Sequence, residues 1–410
     1  MKKDVLIVGA RCAGAPLAML LARKGLAVTA YDKCAFPSDA ISTHFIWPIG
    51  VAALHRWSIW ESILAAWPAI CHKAYSSAPD GELIGPLHEV DGVNYAISLR
   101  RFKLDALLVK AARQAGAEIR EHSAIDELIV EDDRVVGVRG HDIASGAHFE
   151  ERAAIVVGAD GKDSFVAREV AAPKYNEAPS LTASYYTYVV DEETDPDMLE
   201  VYRRPPREFV LFPTDGGLTM VNLVIGAALV PEFRKRVTAN FFAAFDECPD
   251  LAKRLRRAKR VAPIKGSVHM PNYYRQSYGP GWALVGDAGY HRDPIRAQGI
   301  HDAFLDAEDL AAAIGRGLAQ TGSMEIALRE RQEMRDDRTR SPYELAVKAA
   351  GFEDSDVGRS MELLASIKDN PTLIGEFRGL ISGSMRPEIF FDPDHIRTVI
   401  ERTKRLEPPA

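Results

Sequence analysis

With 410 residues, 47% of them hydrophobic and 27% charged, the chain has material for a large core and two domains, and its composition is neither disordered nor membrane-embedded. A formal net charge of −7 argues against a nucleic-acid partner. None of the four cysteines, Cys12, Cys34, Cys71 and Cys248, is spaced as C-x-x-C, which argues against zinc or any metal site and for reduced thiols in a cytoplasm.

The first element is "DVLIVGA", a short apolar run of the kind that forms a buried parallel strand. "MKK" before "VLIV" imitates a secretory signal, but Arg11, Arg23 and Lys24 interrupt the apolar region. Small residues follow, then "APLAMLLARKG". Here Leu17, Leu20 and Leu21 share a helical face, Pro16 lies in the first turn and Gly25 ends the helix. "LAVTAYD" reads as a second strand ending at Asp32, about 20 residues past the glycines, where an acidic group can bind ribose hydroxyls. The junction "GARCAG" is a dinucleotide fingerprint whose middle glycine is Arg11. Gly9 can make the tight turn and Gly14 can allow close helix packing. The Arg11 guanidinium either lies alongside a phosphate or points to solvent, and both readings stand open.

Three further stretches extend the pattern. "SLRRFKLDALLVKAARQAGAEI" (98–119) is an Arg pair, an amphipathic helix closed by Gly116, and a strand. "AAIVVGADGKDSFVAREV" (153–170) is a strand running into Gly158, Asp160 and Gly161. "GWALVGDAGYHRDPIRAQGIHDAFLDAEDLAAAI" (281–314) is a strand, Gly286-Asp287, a loop with Pro294 and Gly299, and a long helix. Between them, "LTASYYTYVV" and "REFVLFPTDGGLTMVNLVIG" alternate like strands of an antiparallel sheet, with a turn at "TDGG". The basic run "KRLRRAKR" (253–260) fits one solvated helix face. No stretch of about 18 apolar residues exists, so no membrane span is expected.

Taken together, fingerprint, Arg-x-x-Leu (Arg101 to Leu104), D-G and G-D motifs resemble the class A flavoprotein monooxygenases, the family of p-hydroxybenzoate hydroxylase. The resemblance implies a discontinuous Rossmann-like FAD-binding domain at 1–70, 96–175 and 264–330. It also implies an inserted antiparallel substrate domain at 71–95 and 176–263, and a helical C-terminal region at 331–410. FAD would be held by Gly9, Arg11, Cys12, Ala13, Gly14, Asp32 and Lys33 at the adenosine end. Arg101, Asp160, Gly161, Gly286, Asp287 and the loop Pro294, Ala297, Gln298, Gly299 and Ile300 would hold the flavin side. The chain departs from the family in reading G-D-A-G-Y and Ala297-Gln298-Gly299. "DAISTHFIWPIG" (39–50) resembles a Ser-Thr-His variant of a bacterial branch that carries GARxAG.

By this resemblance NADH or NADPH reduces the flavin, and dioxygen then forms a C4a-hydroperoxide that hydroxylates an aromatic or polyketide-like small molecule of secondary metabolism. His44 and Pro294 are the candidate catalytic residues; Tyr186, Tyr188 and Phe212 are the candidate substrate contacts. His291 reads rather as a structural hydrogen-bonding residue. Arg292 and Arg296 would pair with Asp293 or bind a carboxylated substrate. Cys12 reads as a small buried residue, the alternative being a thiol activated at a helix N-terminus. Monomer and homodimer stay open. The competing functions are a reductase like the geranylgeranyl reductases, whose Tyr-x-Trp-x-Phe-Pro motif is missing, a flavin-dependent halogenase, whose Trp-x-Trp-x-Ile-Pro motif is missing, and a flavoprotein without catalysis.

Overall fold

The computed structural model describes residues 3–79, 81–319, 323–352 and 367–406. β1 (Lys3–Val8), α1 (Gly14–Arg23) and β2 (Val28–Tyr31) form the expected β-α-β unit. β1 sits centrally in a parallel sheet, with Val5 opposite both Val28 of β2 and Ile155. Val5, Leu6 and Ile7 are fully buried because helices and a second layer cover both faces, which explains the unbroken apolar run.

Several distant segments complete this unit. They are β3 (Phe45–Ile46), α2 (Arg101–Gln114), β6 (Glu118–Arg120), the antiparallel pair β7 (Ser123–Glu131) and β8 (Arg134–Asp142), and the long β9 (His148–Gly158). After it comes the short helix α3 (Phe165–Glu169), and later β15 (Trp282–Leu284) and α5 (Gly299–Leu318). The parallel order is β15-β9-β1-β2-β6, and α1 packs between α2 and α5. β4 (Lys73–Ala78) and β5 (Gly81–Pro86) belong elsewhere, to a second sheet.

That second sheet is built on β10 (Thr182–Val190), β11 (Met198–Arg204), β12 (Arg207–Thr214) and β13 (Leu218–Gly226), in the order β10-β13-β12-β11-β4-β5. The turn between β12 and β13 falls at the expected "TDGG". Strand alternation separates its side chains. Tyr185, Phe209 and Leu223 pack with Phe233 and Phe241 on one face. Tyr186, Tyr188, Phe212 and Met220 pack with Phe45 and Trp47 on the other, toward the nucleotide-binding unit.

Two segments differ from the sequence expectation. Lys265–Ser267, expected with the nucleotide-binding unit, is a strand (β14) hydrogen-bonded to β10. A three-residue edge strand has no apolar period to announce it. In the basic run, α4 (Pro249–Arg257) exposes Arg256 and Arg257, whereas Arg254 turns inward to Asp191 (2.7 Å) and Glu200 (2.9 Å).

The C-terminal segment is helical. α6 (Met324–Ala350) runs against α5, and α7 (Pro371–Ser382) packs on β5. Residues 353–366 and 407–410 of the expected 331–410 region lie outside the described residues. Among the described residues, no helix is long and apolar enough to cross a membrane.

Candidate active site

The turn after β1 requires its first glycine. Gly9 has φ +98°, and a Cβ there would overlap the Ala159 carbonyl. Gly14 sits behind this turn, where a Cβ would overlap the Gly9 carbonyl. It therefore packs helix on strand and does not line the cavity, unlike Gly9, Cys12 and Ala13. Asp32 stands at the end of β2. Its carboxylate accepts from the amides of Ala10 (3.0 Å) and Cys34 (2.9 Å), and it faces the same cavity as Lys33.

Arg11 does not point freely to solvent; it lines the cavity, held by protein partners. Its guanidinium is pinned to the cavity wall by Asp105 (2.9 Å) and the Ser38 hydroxyl (2.9 Å), over the Phe36 ring. Asp105, on α2, has no solvent exposure. It also takes two hydrogen bonds from Arg101 (2.9 and 3.0 Å) and one from the Cys12 thiol (3.3 Å). One carboxylate thus fixes two arginines, leaving one net positive charge beside the fingerprint. Burial pushes the Cys12 thiol up, which favours the small buried residue over an activated thiolate. Sequence reasoning missed Asp105; its i,i+4 spacing from Arg101 was the available signal.

The D-G carboxylate has a local task. Asp160 accepts from the Ser164 hydroxyl (2.5 Å) and the amides of Phe165 (2.7 Å) and Val166 (3.2 Å), capping α3. Burial raises its pKa against those bonds. Asp160 and Gly161 both line the cavity. Gly286 donates its amide to Asp306 (2.8 Å), itself held by Arg331 (2.5 Å). Asp287 differs: its carboxylate accepts no hydrogen bond from the described residues, and burial pushes its pKa up. It is an orphaned acceptor facing the cavity.

The loop beyond it holds two surprises. Arg292 pairs with Asp302 (2.6 Å) and not with Asp293. Asp293 instead accepts from Thr182 (2.6 Å) and caps the next turn at the Ile295 amide (3.1 Å), and burial raises its pKa to about 6. Arg296 pairs with nothing among the described residues. His291 has the structural role expected: it stacks on Tyr273 and its Nδ1 bonds the Pro271 carbonyl. Ala297 adopts the left-handed region (φ +52°), a conformation rare for alanine, which turns the chain into α5. Pro294, Ala297, Gln298, Gly299 and Ile300 line the cavity, and Gln298 also bonds the Ile381 carbonyl of α7 (3.0 Å).

These residues surround one cavity of about 870 Å³ that runs from Asp32 past Arg101 and Asp287 to His44 and Tyr186. A smaller cavity of about 80 Å³ adjoins it, sharing Thr43, Phe45, Ser184, Pro294 and Ala297. Phe212 lines the smaller one. Tyr188 lines neither; it stands beside His44 (ring centroids 5.9 Å) and under Arg100. His44 itself has φ +41°, and its Nε2 meets the Thr214 hydroxyl (3.2 Å). Burial pushes its pKa down to about 4, so it is neutral at pH 7. Next to Thr214, Asp215 accepts from Arg100 (2.8 Å) and Lys103 (2.8 Å), which hold its carboxyl well below the usual range despite burial.

The residues present fit an extended FAD. Asp32 offers acceptors for ribose hydroxyls, the Arg11–Arg101–Asp105 cluster offers net positive charge for a diphosphate, and Asp287 offers an unpaired acceptor for a polyol hydroxyl.

Comparison with known proteins agrees. The family model described as FAD binding domain matches residues 2–339. Digeranylgeranylglycerophospholipid reductase of Methanosarcina mazei is 27% identical over 332 residues, covering 79% of this chain and 78% of its own. Digeranylgeranylglycerophospholipid reductase 2 of Methanococcoides burtonii is 27% identical over 416 residues, covering 95% and 98%. Among solved structures, a flavin-dependent brominase superposes with TM-score 0.82 at 19% identity over 99% of this chain and 100% of its own. A probable FAD-dependent monooxygenase from Pseudomonas aeruginosa gives 0.70 at 18% identity over 94% and 99%. The fingerprint turn, the Asp32 acceptor and the G-D loop around one cavity are thus those of an FAD-dependent oxidoreductase, and the chain belongs to the FAD binding domain family of class A flavoproteins.

Proposed function

We propose that the protein is an NAD(P)H-consuming monooxygenase that inserts one atom of dioxygen into a small aromatic or polyketide-like molecule. Bound FAD would supply the redox chemistry, taking two electrons from the nicotinamide and activating dioxygen. The observation that carries the reading is the small, largely apolar cavity that adjoins the large one at Pro294–Ala297. Phe45, Trp47, Phe212 and Ile381 of α7 line it, so an apolar substrate there packs against hydrocarbon beside the Pro294 turn.

The chain's own groups have separable tasks. Asp32 accepts from the ribose hydroxyls, and Arg11 with Arg101 offsets diphosphate charge. The N-terminus of α5 favours negative charge on whatever lies against Gln298–Ile300. His44, neutral and hydrogen-bonded to Thr214, offers an uncharged donor or acceptor on the wall of the larger cavity. Tyr186 forms the wall of the larger cavity and Phe212 that of the smaller.

A reductase reading is favoured by the two archaeal relatives, which align over most of both chains. Against it stands size: about 80 Å³ is the space of roughly six waters, too little for a long prenyl chain. The deciding experiment follows NADPH oxidation with and without dioxygen. A monooxygenase needs both dioxygen and substrate for fast oxidation and releases an oxygenated product; a reductase turns over anaerobically and adds two hydrogens.

A further inference from the structure

The small cavity is apolar on most sides, yet two arginines reach it: Arg296 from the Pro294 turn and Arg378 from α7. Arg296 makes no side-chain hydrogen bond or ion pair with any described residue. Arg378 is 3% exposed and bonds only neutral oxygens: Ser76 Oγ (2.6 Å) and the carbonyls of Leu83 (3.0 Å) and Ala74 (3.3 Å). The one carboxylate on the cavity wall, Glu208, is already paired with Arg203 (3.1 Å). Three arginines therefore face one glutamate. Burial lowers the pKa of Arg296, and Arg378 falls to about 10 through burial and the nearby Arg296.

Cations held away from water without counter-ions are costly, and two of them, Arg296 and Arg378, meet at the wall of this cavity. Asn222 adds a neutral donor there: its Oδ1 accepts from Ser184 (2.6 Å), which leaves Nδ2 without a partner among the described residues. The remaining lining, with Leu199, Val210 and Ile381, is apolar.

We propose that this cavity selects a compact apolar acid, whose carboxylate is taken by the Arg296 guanidinium while its hydrocarbon body packs against Phe45, Trp47 and Phe212. This rests on the reading of the small cavity as the substrate site. A guanidinium suits a carboxylate because two parallel N–H bonds match its two oxygens. Arg378, tied to the β4–β5 backbone, adds field without moving.

The test is equilibrium binding to the FAD-loaded protein without NADPH, read from the flavin absorbance spectrum. Benzoate, phenylacetate and 2-naphthoate are titrated beside their primary amides and beside phenyl phosphate. The acids should bind about tenfold or more tighter than the amides. Arg296→Gln should bring that ratio close to one, with the larger loss on the acids. Equal binding of acids and amides, an unaltered ratio in the variant, tighter binding of the phosphate, or no spectral response to any probe would each overturn the proposal. Acid selectivity with no substrate-stimulated oxygen consumption would uphold it and defeat the monooxygenase reading instead.

Discussion

The two cavities are built by opposite rules. Around the fingerprint, both arginines are tied to a carboxylate: Asp105 holds Arg11, Arg101 and Cys12 at once, and backbone glycines supply the close approach. Around the small cavity, aromatic and aliphatic side chains from six separate parts of the chain meet, and the lining arginines have no carboxylate of their own. A site for a common cofactor needs fixed backbone and a preset field. A site for one particular substrate needs shape, and it tolerates unpaired charge that the ligand itself will answer.

The sharpest way to break this contrast is to remove the balancing charge. Asp105→Ala strands two arginines around a buried site and should cost about 3–5 kcal/mol in urea unfolding, with loss of bound FAD. A variant that kept FAD and stability would show that the cluster is not what supports the fingerprint. Gly9→Ala forces a Cβ onto the Ala159 carbonyl at positive φ and should cost roughly 3 kcal/mol, again with FAD loss seen in the visible spectrum.

His44, on the wall of the larger cavity, tests that site through pH. Its folded pKa of about 4 lies below the ordinary value of 6.5, so the unfolded chain binds the extra proton between them. Its contribution to stability is therefore fully present above pH 6.5 and declines as pH falls toward 4. The stability gap between wild type and His44→Gln should narrow by up to about 3 kcal/mol across that window. A pH-independent gap would place a solvated histidine there. Asp287→Ala removes an unpaired acceptor and should weaken FAD binding by roughly tenfold with little change in the unfolding of the apoprotein. Smallest of all, Lys73→Ala breaks an exposed, solvent-screened pair with Asp195 (2.8 Å) and should leave the urea unfolding midpoint unchanged.

The same contrast explains how much was legible in the sequence. The β-α-β unit, Asp32 and the Gly286-Asp287 loop announce themselves because their residues are local and periodic: strand, turn and helix follow in order. Tyr185 and Tyr186 are adjacent, so alternation puts them on opposite faces, but the face that meets the cavity is set by Phe45 and Trp47 more than a hundred residues away. Arg292 shows the limit. Its sequence neighbour Asp293 is the obvious partner, yet helix α5 brings Asp302 to it and turns Asp293 toward Thr182. Arg378 comes from the C-terminal helix, which has no motif at all. Asp105 lies within the 98–119 stretch, but its meaning depends on Arg11 arriving from the turn before α1, 94 residues earlier.

The central claim is best tested by oxygen labelling. The FAD-loaded protein is given NADPH, the tightest-binding acid of the titration series and ¹⁸O₂, and the product is weighed. A product carrying one ¹⁸O atom, formed with matched consumption of NADPH and dioxygen, is the expected result. A product formed equally well without oxygen, heavier only by two hydrogens, would contradict the account and make the protein a reductase.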